Sequence, residues 1–401
     1  MRRSLKIIIL LVICAVFTGN LVRYANRAPQ RKYSDFRVYY ATGERFLEKK
    51  DIYSRPDKKI TPFKYSPMFA MLISPLSLLP KHQASLVFFT LNFLSLIGIC
   101  FVSAKLVGIE ELSLRKKIAM FFFSILFTSR FILLVWDSGQ VNLIMVFLVL
   151  VALYLFENKR AFFGSAFLGL SVMFKYMPAI FLPYLLLRAR TGIIILTICF
   201  VCIFLALPAL YVGVDNQVNY LQKWMPFITK TSLDQSSWYD YKNQSVYSFA
   251  LRYLSPDSPY GRPVGRLTFQ EALLTGIFLA VLIYLLTLQP AANRNDTNLI
   301  DYGLLMIGMA IFNPNAWMTN FVVLLFVYIY LLSYLMKENF KDKLTLVLMI
   351  LAFALSSWAA ESVVGDQFEN LFEELSSVTI AALLLVFALL RLKFRKPLGR
   401  V

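Results

Sequence analysis

The sequence predicts an all-α polytopic integral membrane protein, with about 12 transmembrane or re-entrant helices and two long outer loops that carry amphipathic helices. Of its 401 residues, 58% are hydrophobic and only 16% are charged, and the mean hydropathy is +0.63. A soluble protein of this composition would have to bury an implausible amount of apolar surface. The apolar residues also form runs of about 15 to 25, which is the length that a helix needs to cross a bilayer.

The apolar runs predict the individual spans. The first run, about 5–24, is long and lacks a small-x-small cleavage site, so we expect an uncleaved signal anchor with a cytoplasmic N-terminus. The pair at 161–188 is short enough to be re-entrant. With this orientation every predicted cytoplasmic connection carries Lys or Arg, as the positive-inside rule requires. The predicted spans are 5–24, 84–105, 117–136, 139–156, 161–175, 177–188, 191–212, 267–288, 299–313, 316–336, 343–360 and 374–393.

Two long polar segments, about 25–83 and 213–266, fall on the outer face, together with the acidic segment 361–373. We interpret the whole chain, 1–401, as a single transmembrane domain. Positions 25–66 carry 11 Lys and Arg against five Asp and Glu, on a face where positive charge is usually scarce. Either a loop of this length translocates whatever its charge, or its cations bind anionic lipid phosphate.

Both outer loops contain amphipathic patterns. Apolar side chains recur at helical spacing in 36–47 and predict a helix on the membrane surface. The run 68–79 is too short to span and is broken by prolines, so we expect an interfacial or re-entrant helix. The aromatic residues of the second loop form either an interfacial belt or stacking surfaces for carbohydrate. They are Tyr220, Trp224, Trp238, Tyr239, Tyr241, Tyr247 and Tyr253.

Missing signatures narrow the chemistry. The formal charge of +18 comes mostly from short basic clusters at the ends of apolar runs, so we expect no nucleic-acid partner. The sequence has no glycine-rich nucleotide loop and no D-x-D pair. His82 is its single histidine, which nearly excludes histidine-based metal or triad chemistry. We therefore expect no metal and no other cofactor. The four cysteines lie in apolar runs, where they act as small hydrophobes.

Seven short motifs follow one another in the chain: "DFRVYY" at 35–40, "DIY" at 51–53, "FKYSPMFAMLISPL" at 63–76, "GQVN" at 139–142, "FKYMP" at 174–178, "NQS" at 243–245 and "NPNAW" at 313–317. In this order they resemble glycosyltransferase family 87, over about 33–336. These integral-membrane enzymes of the GT-C fold take a sugar from a polyprenyl-phosphate carrier, and they include mycobacterial mannosyltransferases of phosphatidylinositol mannosides. The best-known members carry histidines just after the late Trp, whereas Met318, Thr319 and Asn320 follow Trp317 here. Mannose is therefore not fixed as the sugar.

The resemblance implies that a polyprenyl-phosphate-sugar-dependent hexosyltransferase moves mannose, or another hexose or pentose, to a lipid or glycan acceptor. It also implies inversion, no metal, and an active site on the periplasmic or extracytoplasmic side of the cell inner (plasma) membrane. A ligase or polymerase of lipid-linked glycans would use the same chemistry. A transporter or flippase of lipid-linked sugars would suit the number of spans, although the two halves show no repeat.

Such a transfer needs a carboxylate to take the proton of the acceptor hydroxyl. The resemblance places the catalytic aspartate of the family at Asp35; the alternative is that Asp35 caps the helix 36–47. Asp137 and Asp240 are the next candidates for the base. The departing lipid phosphate needs cations, for which the candidates are Arg37, Lys64, Lys175 and Arg130. Lys175 and Arg130 lie within apolar runs, where a charge is either functional or snorkels to the interface.

Further polar and aromatic residues are candidates for donor or acceptor binding. Alternatives stay open for three groups: turn chemistry and helix capping for Gln140 and Asn142, capping of the next helix for the "NQS" motif, and helix breaking at Pro314 for the late motif. The candidates are Tyr39, Tyr40, Tyr65, Gln140, Asn142, Asn243, Gln244, Ser245, Asn313, Trp317 and Asn320.

Overall fold

The structure is a computed structural model that describes residues 18–19, 34–54, 61–232, 235–260, 264–291 and 297–395. These residues form helices and connecting loops, and no β-strand occurs among them, which confirms the all-α class. Most of the predicted first span, 5–24, lies outside the described residues. The signal anchor therefore stays a prediction.

The described helices are α1 Ser34–Leu47, α2 Pro67–Ile73, α3 Lys81–Val107, α4 Leu114–Phe127, α5 Ser129–Ser138, α6 Asn142–Glu157, α7 Ala161–Phe174, α8 Phe181–Leu187, α9 Thr191–Ala206, α10 Ala209–Val212, α11 Val214–Ser232, α12 Gln235–Tyr239, α13 Val246–Leu254, α14 Phe269–Leu288, α15 Thr297–Ile311, α16 Leu324–Lys337, α17 Lys343–Phe353, α18 Glu361–Val364, α19 Asp366–Glu374 and α20 Ser377–Phe394. Short 3₁₀ turns, Ser74–Leu78, Met177–Ile180 and Met318–Val323, extend α2 and precede α8 and α16.

Five of the described helices or helix pairs are long and apolar enough to cross a membrane: Lys81–Val107, Thr191–Val212, Phe269–Leu288, Met318–Lys337 and Ser377–Phe394. The number is six if α4 and α5, which are bent by 60° relative to each other, form one span. Every predicted span from 84 onward has a helix near its bounds, but the count of about 12 is not confirmed. The reason is length: a helix such as α6, with 16 residues, is about 24 Å long, less than the thickness of a bilayer core of about 30 Å.

Helix α16 forms the centre of the bundle. Of the 18 most apolar consecutive residues in the span that contains α16, 89% are buried. In Thr191–Val212 only 11% of the corresponding residues are buried. Helix α16 packs against α3, α4 and α15, and side chains all round it are buried. Both segments are apolar enough to cross a membrane, because lipid and protein interior are both apolar, so an apolar composition alone does not identify the central helix.

Helix α1 packs its aromatic side onto the protein. Phe36, Tyr39 and Phe46 are at most 1% exposed, and α1 contacts α2 and the turn Ser74–Leu78. The Ser77 hydroxyl donates to the carbonyl of Tyr40 at 2.9 Å. The expected helix is present, but its apolar face does not lie against lipid. An amphipathic pattern alone cannot distinguish a membrane surface from a protein surface, because both are apolar.

The second long polar segment, about 213–266, is held to the rest of the protein by its aromatic residues. Trp238 stacks on Phe269 with ring centroids 5.9 Å apart. Several tyrosine hydroxyls donate to groups of other segments, which anchors this segment. These contacts are Tyr220 to the Lys50 carbonyl, Tyr241 to the Asn370 side chain, Tyr247 to the Phe312 carbonyl and Tyr253 to the Leu375 carbonyl.

A glycine joins α1 to the turn between α5 and α6. Gly139 ends α5 with a φ of +68°, and a Cβ added there would lie 2.7 Å from the Cβ of Phe36. Gly108 ends α3 with a similar φ of +64°, but the nearest atom to its added Cβ is 3.7 Å away. A residue with a Cβ would have a strained, left-handed backbone at both positions. Of the two, only position 139 would also bring the Cβ into a clash with a neighbouring residue.

We expect Gly139→Ala to destabilise the protein more than Gly108→Ala does. Gly108→Ala should cost about 1–2 kcal/mol, the penalty of a left-handed conformation with a Cβ. Gly139→Ala should cost about 1–3 kcal/mol more, since α1 must move to relieve the clash. Thermal unfolding of the two purified variants measures the difference. Equal melting temperatures would contradict the close packing of Gly139 on Phe36.

Candidate active site

A cavity of about 710 Å³ opens where distant parts of the chain meet: α1, the segment 61–66, the turn between α5 and α6, the break between α7 and α8, α11, the segment 313–320, and the segment that contains α18 and α19. It contains more than half of the residues proposed from the sequence. Those that line it are Asp35, Tyr39, Lys64, Tyr65, Gln140, Lys175, Asn313, Trp317 and Asn320.

Asp35 lies in the first turn of α1 and is partly buried. The helix is already formed at Ser34, so Asp35 is a helical residue and not the cap that the alternative interpretation required. Its Oδ2 accepts a hydrogen bond of 2.7 Å from Nε2 of Gln140. The carboxylate therefore lines the cavity and is oriented by a neutral amide.

Gln140 connects this acid to a partly buried amine. Its Oε1 accepts hydrogen bonds of 3.3 Å from Nζ of Lys175 and of 3.3 Å from the hydroxyl of Tyr65. Lys175 follows the last residue of α7 in extended conformation, with φ −151° and ψ 143°. The break in the helix at this point turns the side chain into the cavity. Gln140 thus holds Asp35 and Lys175 on its two ends.

Two tyrosines stand beside the acid. The hydroxyl of Tyr39 donates to that of Tyr65 at 2.6 Å, and their rings meet edge to face at 5.1 Å. Burial raises the pKa of Tyr65, and the charge of Asp35 raises it further. The pKa of Tyr39 is raised mainly by burial, with Tyr65 and Asp35 adding to it. Both hydroxyls therefore stay protonated at neutral pH and act as donors.

The segment 313–320 supplies a third wall. Oδ1 of Asn320 accepts from Nζ of Lys175 at 3.4 Å and from Nδ2 of Asn142 at 3.2 Å. Asn313 accepts a hydrogen bond of 2.8 Å from the Tyr176 hydroxyl. Trp317 is 37% exposed, so its indole offers an aromatic surface to a ligand. Asn142 lies behind this wall and touches the site only through Asn320.

The "NQS" motif supports the segment 313–320 from the side that faces away from the cavity. Asn243, Gln244 and Ser245 are fully buried and do not line the cavity. Nδ2 of Asn243 donates to the Pro314 carbonyl at 2.7 Å, and the backbone N–H of Gln244 donates to the Ala316 carbonyl at 2.9 Å. Ser245 caps α13. The structure therefore does not bring these side chains to the cavity; they position the segment 313–317.

Three further candidates lie away from the cavity lining. Arg37 is partly buried on α1, and the Tyr40 hydroxyl donates to the Leu79 carbonyl at 2.9 Å. Arg130 is 4% exposed, and its guanidinium donates to Glu369 at 2.7 Å and to Glu373 at 2.6 Å. A phosphate would have to displace these two carboxylates, so the structure gives Arg130 a different role: it fixes α19 to α5. Asp137 and Asp240 are also absent from the lining.

The cavity has an acidic wall that was not predicted from the sequence. Helices α18 and α19 contribute Glu361, Asp366, Glu369, Asn370 and Glu373. Burial raises the pKa of Glu373 to about 7, and the neighbouring Arg130 opposes this. The sequence pattern that could have predicted this wall is "ESVVGDQFENLFEEL". In this segment acidic residues and apolar residues each recur at the three- or four-residue spacing of a helix. Tyr176 and Lys242 also line the cavity and were not proposed as site residues, whereas Trp224, which lines it as well, was named only among the aromatic residues that could stack on carbohydrate.

The cavity combines one carboxylate, Asp35, which Gln140 links to the amine of Lys175, with a separate acidic wall. In the part of the chain that the structure describes, no three His, Cys, Asp or Glu side chains converge as metal ligands would. Ion-pairing and hydrogen-bonding groups within reach of one another suit group transfer between two polar substrates. A membrane-embedded helical fold with such a cavity is the arrangement of a membrane enzyme.

Comparison with known proteins defines the class. Residues 63–314, more than half of the chain, match the model of glycosyltransferase family 87. The protein is thus a membrane glycosyltransferase and belongs to glycosyltransferase family 87.

Two characterised relatives are similar over part of their length. An alpha-(1->3)-arabinofuranosyltransferase of Corynebacterium glutamicum is 24% identical over 226 residues, which are 55% of this chain and 51% of the relative. A polyprenol-phosphate-mannose-dependent alpha-(1-2)-phosphatidylinositol pentamannoside mannosyltransferase of Mycolicibacterium smegmatis is 28% identical over 119 residues, which are 30% of this chain and 28% of the relative. The matches span about half of the first relative and less than a third of the second.

We expect Gln140→Leu to lower kcat about 10- to 100-fold, because it releases Asp35 and Lys175 from their common partner and small displacements of reacting groups are costly. The acidic limb of the pH–rate profile should move to higher pH, since a hydrogen bond to the ionised carboxylate favours that form. Steady-state kinetics across pH measures both effects.

Gln217→Leu is the matched control. Gln217 is also buried, but it bonds to the Leu205 carbonyl and lies outside the cavity. The control should lower thermal stability and leave the pH–rate profile in place. If Gln140→Leu changed only stability, the amide would have no part in positioning the acid.

Proposed function

We propose that the protein transfers a monosaccharide from a polyprenyl-phosphate donor to a lipid or glycan acceptor, with inversion at the anomeric carbon and without a metal. The observation that carries this proposal is the pairing of Asp35 with Lys175 through Gln140 inside the cavity. A base and a cation at opposite ends of one amide suit an attacking hydroxyl and a departing phosphate.

The step would proceed as follows. Asp35 takes the proton of the acceptor hydroxyl while the hydroxyl oxygen forms a bond to the anomeric carbon. The bond from that carbon to the phosphate oxygen breaks on the opposite face, and its electron pair leaves with the polyprenyl phosphate. Lys175 and Lys64 stabilise the negative charge that the phosphate gains. The products are the glycosylated acceptor, polyprenyl phosphate and a protonated Asp35, which releases its proton to solvent.

The names of the relatives support a lipid-linked donor and leave the sugar open. One relative is an arabinofuranosyltransferase and the other depends on polyprenol-phosphate mannose. The family thus accommodates a pentose and a hexose. The residues Met318, Thr319 and Asn320 after Trp317 differ from the histidines that the resemblance leads one to expect, so a panel of sugars is the appropriate test.

Purified protein in lipid nanodiscs should be assayed with polyprenyl-phosphate mannose, arabinofuranose, glucose and galactose, with and without chelator. We expect turnover of one of these donors, no loss with chelator, and an inverted anomeric configuration in the product by NMR. Turnover of a nucleotide sugar instead, or a strict requirement for a divalent metal, would refute the proposal. A product with several sugars added at once would favour a ligase or polymerase, and movement of the donor across the bilayer without a new glycosidic bond would favour a flippase.

We also propose that the cavity faces the periplasmic or extracytoplasmic side of the inner membrane. The basis is the distribution of Lys and Arg among the connections. Reporter fusions after residues 60 and 240 should report an external location. A cytoplasmic signal at either position would place the cavity on the other face.

A further inference from the structure

One face of α11 is apolar and exposed. Val214, Val218 and Met225 follow one another at intervals of four and seven residues, so they form one row along the helix. They are 69%, 45% and 60% exposed, so this row does not pack on the rest of the protein. A row of large apolar side chains on the outside of a helix indicates a contact with something other than water. Neither the family match nor the names of the relatives assigns a role to this row.

A second face of α11 is attached to the protein and reaches the cavity, which Trp224 and Ile228 line. The Tyr220 hydroxyl donates to the Lys50 carbonyl at 2.6 Å, and Nε1 of Trp224 donates to the Lys64 carbonyl at 3.2 Å. Lys64 itself lines the cavity. Helix α11 therefore supports the backbone that carries one of the cations proposed to bind the leaving phosphate.

Helix α11 turns away at the end of a candidate membrane span. The span Thr191–Val212 directly precedes it and is largely unburied, as expected of a helix that faces lipid. Gly213 then interrupts the helix with a φ of +89°, and Nε2 of Gln217 donates to the Leu205 carbonyl. In one continuous helix, residues 12 positions apart would lie about 18 Å from each other, too far for a glutamine side chain to reach. The bond therefore requires α11 to leave the axis of the span at the end of the lipid-facing surface.

A third face of α11 is polar. Asp215, Gln222 and Lys230 are exposed and lie beside the apolar row. Charged side chains are costly in the hydrocarbon core, and the apolar row is unfavourable in water. A helix with both faces, placed next to the end of a lipid-facing span, is most stable in the plane of the membrane–water interface.

We propose that α11 docks on the surface of the surrounding bilayer through Val214, Val218 and Met225, and that this contact positions Trp224 and the backbone of Lys64 at the cavity. The bilayer is the occupant that continues the lipid-facing surface of the preceding span. The docking is independent of the proposed function, whereas its effect on turnover rests on that function.

Fluorescence quenching measures the docking directly. In protein whose four native cysteines are replaced by Ala, Val218→Cys and Met225→Cys are each labelled with a small fluorophore and reconstituted in lipid nanodiscs. Lipids that carry a nitroxide near the top of the acyl chain should remove most of the fluorescence of both labels. Iodide in the buffer should remove little, because an interfacial helix buries its apolar face below the headgroups.

Lys230→Cys is the matched control for Met225→Cys. Lys230 is exposed on the same helix, about 140° around its axis from Met225, so its label should be quenched by iodide and little by the lipid nitroxide. If iodide quenched both labels equally, the row would face water and the proposal would be wrong. If neither quencher reached Met225→Cys and this position cross-linked to a second copy of the chain, the row would be an interface between copies, which would also overturn the proposal.

The effect on the cavity is tested with a polar and an apolar double variant. Val218→Asn with Met225→Gln should raise KM for the donor about tenfold in nanodiscs, because the lost apolar contact loosens α11 and with it the backbone of Lys64. The value of kcat should change much less, since Asp35 and Lys175 are held by Gln140 and not by α11.

Val218→Ile with Met225→Leu keeps the row apolar and should retain the wild-type KM. An unchanged KM in the polar variant would contradict the positioning of Lys64 by α11. Labels in lipid without turnover of any polyprenyl-phosphate sugar would contradict the proposed function and leave the docking of α11 in place.

Discussion

Asp35→Asn should lower kcat by about 10²- to 10⁴-fold, the usual contribution of a general base. The amide has nearly the same size as the carboxylate and can still interact with Gln140, so folding and membrane insertion should be preserved. The acceptor KM should change little, since only the proton acceptor is removed. Steady-state kinetics with the donor identified from the panel, together with thermal unfolding, measures the effect.

Glu44→Gln is the matched control for Asp35→Asn. Glu44 is an acid on the same helix, but it is exposed and does not line the cavity. It should retain wild-type kcat. If Asp35→Asn folded normally and kept near-wild-type turnover, Asp35 would not be the base. Asp137 and Asp240 would then have to be tested, although neither lines the cavity in this structure.

Lys175→Met should lower kcat about 10²- to 10³-fold, because a preorganised charge at the leaving group is lost from the transition state. The effect should extend to the product: inhibition by polyprenyl phosphate should weaken in the variant, since the phosphate dianion loses the cation that pairs with it. Lys175→Arg should recover part of the lost activity, because it retains the charge with a different geometry. The measurements are kcat, and the inhibition constant of polyprenyl phosphate.

Lys223→Met provides the comparison for Lys175→Met. Lys223 pairs with Asp51 at 2.7 Å on a partly exposed surface and does not line the cavity. A surface ion pair of this kind contributes at most about 1 kcal/mol to stability, so the control should behave as the wild type. Unchanged kcat and unchanged product inhibition in Lys175→Met would show that Lys175 does not bind the leaving phosphate.

The helices could be predicted closely from the sequence. Apolar runs bounded by charge gave the ends of α3, α14 and α20 to within a few residues, because the need to match a helix to apolar surroundings acts on each segment by itself. The number of complete crossings could not be obtained in this way. Helices such as α6 and α7 have the composition of a span and not its length, and their neighbours decide how they are accommodated.

The ordered motifs placed Asp35, Lys64, Lys175 and Trp317 among the site residues, and the structure brings all four to one cavity. The structural role of each motif could not be predicted as well from the sequence. Asn243, Gln244 and Ser245 were proposed as sugar contacts, yet their hydrogen bonds hold the backbone of 314–316 and cap α13. A polar motif has the same sequence whether its side chains bind a ligand or another loop, because both can satisfy the same hydrogen-bond donors and acceptors.

The sequence by itself determined the class of fold, the approximate bounds of its helices and the family. Only the tertiary structure decided that Gln140 joins Asp35, 105 positions away, to Lys175, 35 positions away, and that α19 supplies an acidic wall fixed by Arg130. The physical reason is the distance along the sequence between the residues that interact. Helical periodicity relates residues three or four apart, whereas the cavity depends on side chains that meet only when distant helices pack together.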